Sequence, residues 1–367
     1  MTEEWVCIGC GSKIQSDDKL AAGFLPLSAL TKKLEETPDA EIICQRCFRL
    51  RHYNEIAPSS LTDADFLRLL NSLADKNALI VNVIDIFDFN GSLIPRLARF
   101  VGGNDVLLVA NKRDVLPHSL KVHKLTAWIA EEAKKEGLLP LDVRVISAKN
   151  QDDVRDLMLE IEAYRAGRDV YVVGVTNVGK STLINAIIRE AAGNENVITT
   201  SRFPGTTLDK IEIPLGDGTA IIDTPGIIHR GQMAHYLKPD DLKYSSPRKE
   251  IKPKTYQLNP EQTLFLGGLA RFDYLAGARA GITAFVDNEL VIHRTKQDGA
   301  TEFFAKHVGE LLKPSVSETL VRKEFKISET SDIVFSGLGW IRVPQGSKVA
   351  AWVPDGVEVI VRRALIG

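Results

Sequence analysis

The stretch Gly174-Val175-Thr176-Asn177-Val178-Gly179-Lys180-Ser181 constrains this chain more than any other. It has the spacing G-x-x-x-x-G-K-[ST], follows the β-branched run RDVYVVGV (168–175) and opens the helical stretch STLINAIIRE. Its glycines let backbone amides close around a β-phosphate, and the helix that follows turns its positive N-terminus toward the same group. Lys180 is then placed to bridge β- and γ-phosphate oxygens, and the Ser181 hydroxyl to ligate Mg²⁺, with Thr182 beside them. A loop of this kind needs a strand before it and a helix after it. The expected fold is therefore α/β, a P-loop domain on a mostly parallel sheet.

The surrounding pattern agrees. Runs ALIVNVID (78–85), NDVLLVAN (104–111) and LDVRVISA (141–148) each end where a polar loop begins. Between them, SLIPRLARFV (92–101), HSLKVHKLTAWIAEEAKKEG (118–137) and QDDVRDLMLEIEAYRAG (151–167) carry apolar residues at helical spacing. Strands alternating with helices predict βαβ units and a ligand at the carboxyl ends of the strands. A chain of 367 residues exceeds one ordinary domain, and the pattern divides it into residues 1–58, 59–229 and 230–367.

The base preference is written in Asn111-Lys112-Arg113-Asp114, an N-K-x-D sequence at a strand end. A carboxylate such as Asp114 accepts from both N1–H and the 2-amino group of guanine, a pattern adenine lacks, so a wrong base leaves a charge unpaired. Ser147-Ala148-Lys149 reads as the accompanying guanine loop, and the set predicts GTP and GDP as ligands. Downstream, Asp223-Thr224-Pro225-Gly226 ends the run TAIIDT, where an aspartate holds Mg²⁺ and a glycine amide senses the γ-phosphate. In Phe203-Pro204-Gly205-Thr206-Thr207, one threonine would complete the Mg²⁺ shell only when the γ-phosphate is present; Thr207 is favoured and Thr206 is the fallback. Where many GTPases place a water-orienting glutamine after this aspartate motif, the chain has Ile227 and Ile228, so slow intrinsic hydrolysis is expected.

All four cysteines fall in the first fifty residues as two C-x-x-C pairs, Cys7/Cys10 and Cys44/Cys47. Two such pairs supply four thiolates for a tetrahedral Zn²⁺ site that would hold so short a module together. A redox dithiol or a coincidental spacing are the competing readings. Around the second pair, Arg46, Arg49, Arg51 and His52 lie beside Phe48 and Tyr53, which suits either RNA or a solvated face. With a net charge of −2, overall charge does not announce a nucleic-acid binder. The start MTEEWVCIGC lacks a cationic segment followed by an apolar one, and no run is long enough to span a bilayer, so a cytoplasmic, non-membrane protein is expected.

In most small GTPases the phosphate loop precedes the guanine motifs, whereas here N-K-R-D and S-A-K come first and the phosphate loop, P-G-T-T and D-T-P-G follow. Together with the C-x-x-C pairs and the stretch Asp85-Ile86-Phe87-Asp88-Phe89-Asn90-Gly91-Ser92, this order resembles the YqeH family of circularly permuted GTPases. The resemblance implies a cytosolic factor of small ribosomal subunit assembly that binds ribosomal RNA or pre-ribosomal particles. Asn177 resembles the asparagine by which related GTPases hold K⁺ beside the phosphates, against the simpler reading that it shapes the loop. Asp85 and Asp88 are read as turn caps without chemistry, and His229 as a surface residue.

Residues 238–254, KPDDLKYSSPRKEIKPK, read as a linker or exposed loop. Beyond them, QTLFLGGLARFDYL, GITAFVDNELVIHRT, SDIVFSGLGWIRVP and KVAAWVPDGVEVIVRRALI predict a β-rich α+β recognition module with one helix in TEFFAKHVGELLKPS. The permutation would connect the γ-phosphate-sensing segment straight to this module. A GTPase that regulates a protein partner without RNA carries the same motifs, and nothing in the sequence sets the oligomeric state.

Overall fold

The structure, a computed structural model, describes residues 5, 13–17, 23–36, 42, 44, 45, 70–193, 211–224, 226 and 229–366. In the N-terminal part a helix, α1 (Leu27–Glu36), is described, and Phe24, Ile42 and Cys44 are buried. Cys7, Cys10 and Cys47 lie outside the described residues.

The first body is a six-stranded sheet in the order β3-β2-β1-β4-β6-β5. Its strands are β1 (Ala78–Asp85), β2 (Asp105–Asn111), β3 (Asp142–Val145), β4 (Asp169–Val173), β5 (Ile211–Pro214) and β6 (Ala220–Asp223). Every neighbouring pair is parallel except β5 with β6. β1 is buried along its whole length, which explains its nearly unbroken apolar sequence: helices cover both faces of a parallel sheet. The chain leaves β1 toward β2 on one side and leaves β4 toward β6 on the other. The carboxyl ends of these two strands therefore flank a crevice, the usual place for a ligand.

Two sequence expectations change here. The run 92–101 is not one helix but two short ones, α2 (Phe89–Ser92) and α3 (Leu97–Phe100), because Pro95 between them lacks an amide donor. The run 141–148 is a strand only at Asp142–Val145, and the rest becomes the loop before α5. The long helices α4 (Val122–Lys135), α5 (Gln151–Arg165) and α6 (Lys180–Gly193) are as expected.

The second body consists of two antiparallel five-stranded sheets, β16-β13-β14-β10-β7 and β11-β8-β9-β15-β12. In chain order these are β7 (Lys254–Leu258), β8 (Gln262–Leu266), β9 (Ala270–Ala276), β10 (Ala280–Val286), β11 (Ile292–Lys296), β12 (Leu320–Lys326), β13 (Ser331–Phe335), β14 (Gly339–Val343), β15 (Lys348–Pro354) and β16 (Val359–Arg363). The helix α7 (Ala300–His307) is shorter than the apolar pattern suggested; Val308 is already extended and Gly309 has φ +80°. It packs Phe303 and Phe304 against buried Phe265.

The two bodies meet in a common apolar cluster, although the second also keeps a core of its own around Phe272, Tyr274 and Phe335. Phe285, Val334, Trp340 and Leu365 of the second join the apolar cluster of the first, and the fully buried Trp340 ring lies 5.6 Å from Phe87 and 5.0 Å from Phe285. Arg362 is sandwiched between Trp128 of α4 at 4.9 Å and Trp340 at 5.3 Å, and donates to Asn90 Oδ1 at 2.8 Å. Residues 238–254, expected as a linker or exposed loop, are docked: Pro239–Ser245 form a 3₁₀ helix, and Pro247 and Ile251 are buried.

A polar seam completes the junction. Gln232 Nε2 donates to Asp88 Oδ2 at 2.8 Å and to the Gly91 carbonyl at 2.9 Å. Asp88 is buried, its Oδ1 has no partner, and burial, with Asp85 nearby, raises its carboxyl above the ordinary 3.8 despite hydrogen bonds from Gly337 and Gln232. A carboxyl raised in the fold stabilises the native state fully only below its unfolded value, and this contribution is lost as pH rises through the folded value. Asp88→Asn should therefore raise the melting temperature near neutral pH by about 2–4 °C, roughly 1 kcal/mol, and flatten its pH dependence above pH 4. A lower melting temperature at neutral pH would show instead that the ionised carboxylate holds the seam.

Candidate nucleotide site

The phosphate loop leaves β4 at the crevice between β1 and β4. Its turn requires left-handed backbone at Asn177 (φ +67°) and Gly179 (φ +88°). A side chain at Gly174 would place its Cβ 2.6 Å from the Val83 carbonyl of β1, so the loop lies against the neighbouring strand only because position 174 is glycine. Gly226 is less tightly confined, with a Cβ there 3.3 Å from Thr176 Cγ2. Gly226 and the phosphate loop are therefore within contact range. Val178 is buried, and Ser181 and Thr182 are half-buried in the first turn of α6.

Lys180 Nζ sits 2.5 Å from Asp223 Oδ1 at the end of β6 and also donates to the Thr224 carbonyl. Burial raises the Asp223 carboxyl and the adjacent ammonium pulls it back. A buried ammonium held by one carboxylate and one carbonyl can exchange these partners for phosphate oxygens, and Asp223 is then free to face a cation. The donor set thus fits a nucleotide phosphate with Mg²⁺.

On the base side, Asp114 Oδ1 accepts from Ser147 Oγ at 2.8 Å, and Oδ2 from Lys149 Nζ at 2.6 Å. Burial pushes the Asp114 carboxyl up, but the Lys149 and Ser147 hydrogen bonds and the Lys149 charge outweigh it and hold the group below the usual carboxylate range. The guanine loop is itself positioned from α5: Asp153 Oδ2 accepts from the Ser147 amide at 2.7 Å, while Asn150 caps the helix through the Asp152 and Asp153 amides. N-K-R-D and S-A-K, separated in sequence, thus form one pocket wall.

Asn111 ties this wall to the phosphate loop. Its Nδ2 donates to the Val178 carbonyl at 2.9 Å and its Oδ1 accepts from the Ala148 amide at 2.9 Å, both buried. Asn111→Ala strands a buried carbonyl and a buried amide at about 1–3 kcal/mol each, so urea unfolding should show a loss on the order of 2–6 kcal/mol together with weakened GDP binding. Unchanged stability and affinity would mean the loops are held by other contacts.

Three features of the site are not visible in the motifs. Lys112, with φ +66°, turns its ammonium to Asp85 Oδ2 at 2.6 Å, while Asp85 Oδ1 accepts from the Phe87 amide at 2.9 Å. Asp85 is therefore the turn cap expected and, in addition, the counter-ion of the N-K-x-D lysine. The variable residue Arg113 staples the loop by donating to the carbonyls of Leu116 (3.1 Å), Pro117 (3.2 Å) and Leu120 (2.7 Å). His229 is only partly exposed, with Nε2 4.0 Å from Glu358 Oε2 in the second body. Thr206, Thr207, Pro225, Ile227 and Ile228 lie outside the described residues. Among the described residues no group of three or more His, Cys, Asp or Glu side chains converges as a metal site, and no helix is long and apolar enough to cross a membrane.

Residues 279–365 match the family model described as YqeH-like, C-terminal, and residues 169–250 match the one described as 50S ribosome-binding GTPase. The Bacillus subtilis (strain 168) protein YqeH is 54% identical over 99% of this chain and 100% of its own length. NO-associated protein 1, chloroplastic/mitochondrial, of Arabidopsis thaliana is 31% identical over 92% of this chain and 69% of its own length. Among solved structures, GNP-bound YlqF from T. maritima is 22% identical, with a TM-score of 0.29, over 44% of this chain and 57% of that one.

Proposed function

Because this chain belongs to the YqeH family of circularly permuted GTPases, and is thus a GTP-binding and GTP-hydrolysing enzyme, we propose that it acts as a switch in assembly of the small ribosomal subunit. The observation that carries this reading is the shared core. The β-rich body, in which no metal-ligating cluster occurs among the described residues, is joined to the GTPase sheet through Trp340, Phe285 and Arg362, and Gln232, in the segment just past Gly226, donates to Asp88 of the GTPase body. The segment after Gly226 thus leads directly into the β-rich body, the part proposed to meet ribosomal RNA or a pre-ribosomal particle.

In the proposed site Lys180 and the amides of Gly174–Ser181 hold the phosphates, Ser181, Thr207 and Asp223 serve Mg²⁺, Gly226 senses the γ-phosphate, and Asp114 with Ala148 and Lys149 reads the base. Mg²⁺ supplies charge neutralisation at the phosphates. Asn177, exposed on a left-handed turn, has an amide oxygen available to K⁺ at the same place, which would raise turnover without a glutamine at 227. Cys7, Cys10, Cys44 and Cys47 are proposed to close a Zn²⁺ site in the N-terminal module, and the protein to work in the cytoplasm.

A second reading has its own support: the model matched by residues 169–250 is described by the 50S ribosome, which would make the large subunit the partner. GTP turnover with isolated small or large subunits, in K⁺ and in Na⁺ buffer, separates these. Stimulation by small subunits supports the proposal and stimulation by large subunits replaces it. No response to either points to a protein partner without RNA, and equal rates in K⁺ and Na⁺ remove the role given to Asn177.

A further inference from the structure

The segment that joins the two bodies passes along the guanine motif in continuous contact with it. Lys112 Nζ, already on Asp85, also donates to Ser246 Oγ at 3.1 Å. Lys149 Nζ, already on Asp114, lies 3.4 Å from the Arg248 carbonyl. Glu250 Oε1 accepts from the His118 amide at 2.8 Å, and Glu250 Oε2 is 3.3 Å from His118 Nε2. The Ile251 amide donates to the Val115 carbonyl at 2.9 Å, and its side chain is buried in the GTPase core. The other side of the segment is held by the β-rich body, where Asn288 donates to the Glu250 carbonyl at 2.8 Å and accepts from the Lys252 amide at 2.7 Å.

We propose that residues 246–251 are a positioning strap of the guanine site, holding the Asp114 loop ready for the base and tying base occupancy to the seating of the β-rich body. The physical reason lies in the loop. Lys112 sits in left-handed backbone, a conformation a lysine does not adopt freely, so contacts outside the loop must hold it. The strap supplies these at positions 112, 115 and 118, on both sides of Asp114. It also gives the exposed Lys149 ammonium a second acceptor, the Arg248 carbonyl, beside Asp114. Binding free energies are reciprocal: whatever the strap adds to base affinity, the bound base returns to the seating of the strap.

The test uses the full chain and compares GDP with IDP, whose base lacks the 2-amino group. The ratio of the two dissociation constants reports how well Asp114 is placed. Ser246→Ala combined with Glu250→Ala should reduce this ratio roughly five-fold, about 1 kcal/mol. Lys243→Ala, which breaks an exposed pair with Glu289 in the same segment and touches no guanine motif, should leave it unchanged. An unchanged ratio in the double variant overturns the proposal, including the case in which GDP and IDP weaken equally. If the double variant does not fold, hydrogen exchange on the unaltered protein decides: GDP should slow exchange of the His118 and Ile251 amides, and no slowing overturns the strap. The inference rests on Asp114 reading the base. Should the unaltered protein fail to prefer GDP over IDP, that reading falls and takes the strap's role with it, whereas a preserved preference with an indifferent double variant removes the strap alone.

Discussion

Asp114→Asn will exchange the base preference of the site, lowering kcat/KM for GTP by about 10²–10⁴ and raising it for XTP. The carboxylate accepts two donors of guanine, N1–H and the 2-amino group. Xanthine keeps the first and presents a carbonyl in place of the second. An asparagine offers one acceptor and one donor, which matches xanthine and opposes guanine. Loss of two charge-assisted hydrogen bonds at about 1.5–3 kcal/mol each sets the size of the effect. The Lys149 contact at 2.6 Å strengthens the case, because it keeps Asp114 ionised across the neutral range. As a depressed carboxyl, Asp114 contributes fully above its unfolded value of 3.8 and loses that contribution only as pH falls through the folded value, so base choice should be flat through neutral pH. Persistence of the GTP preference in the variant would mean that another group reads the base.

Lys180→Ala should bring GTP turnover to the blank and also destabilise the nucleotide-free protein. The second effect follows from the pairing with Asp223, whose side chain is only 12% exposed against 8% for Lys180. Removing one member of a buried pair costs on the order of 3–5 kcal/mol when the survivor stays charged. The survivor here is a carboxyl already raised by burial, and without the ammonium it rises further. Such a group restores stability as it is protonated, so the deficit should be largest near neutral pH and shrink as pH falls. Melting temperatures of the nucleotide-free variant across that range provide the measurement. A variant as stable as the parent at neutral pH would show that Lys180 does not rest on Asp223 before nucleotide arrives.

The phosphate loop, N-K-R-D, S-A-K and D-T-P-G are legible in sequence because each is a short segment whose spacing the chemistry dictates. Their convergence on one crevice follows from strands that all end on the same edge of a parallel sheet. What is not legible depends on partners far apart in the chain. The counter-ion of Lys112 is Asp85, on another strand, and the role of Arg113 depends on carbonyls, which leave no mark on side-chain identity. Residues 238–254 look solvated because their composition is polar and charged, yet buried Ile251 and Pro247 anchor them. The run 92–101 has helical apolar spacing, and Pro95 interrupts it for a backbone reason that periodicity does not register. Trp340 and Arg362 resemble ordinary strand residues until they are seen against Phe87 and Trp128.

The shared core also orders events during synthesis. A growing chain is extended residue by residue, and its domains generally fold as they emerge. Here β1 to β6 are made before the second body, but the apolar surface around Phe87 and Trp128 is not covered until Trp340, Arg362 and Leu365 have been made. Until then the GTPase half displays an unfinished hydrophobic face and lacks residues 246–251 beside its base loop. A chain that ends before these residues lacks both the cover for that face and the segment beside its base loop.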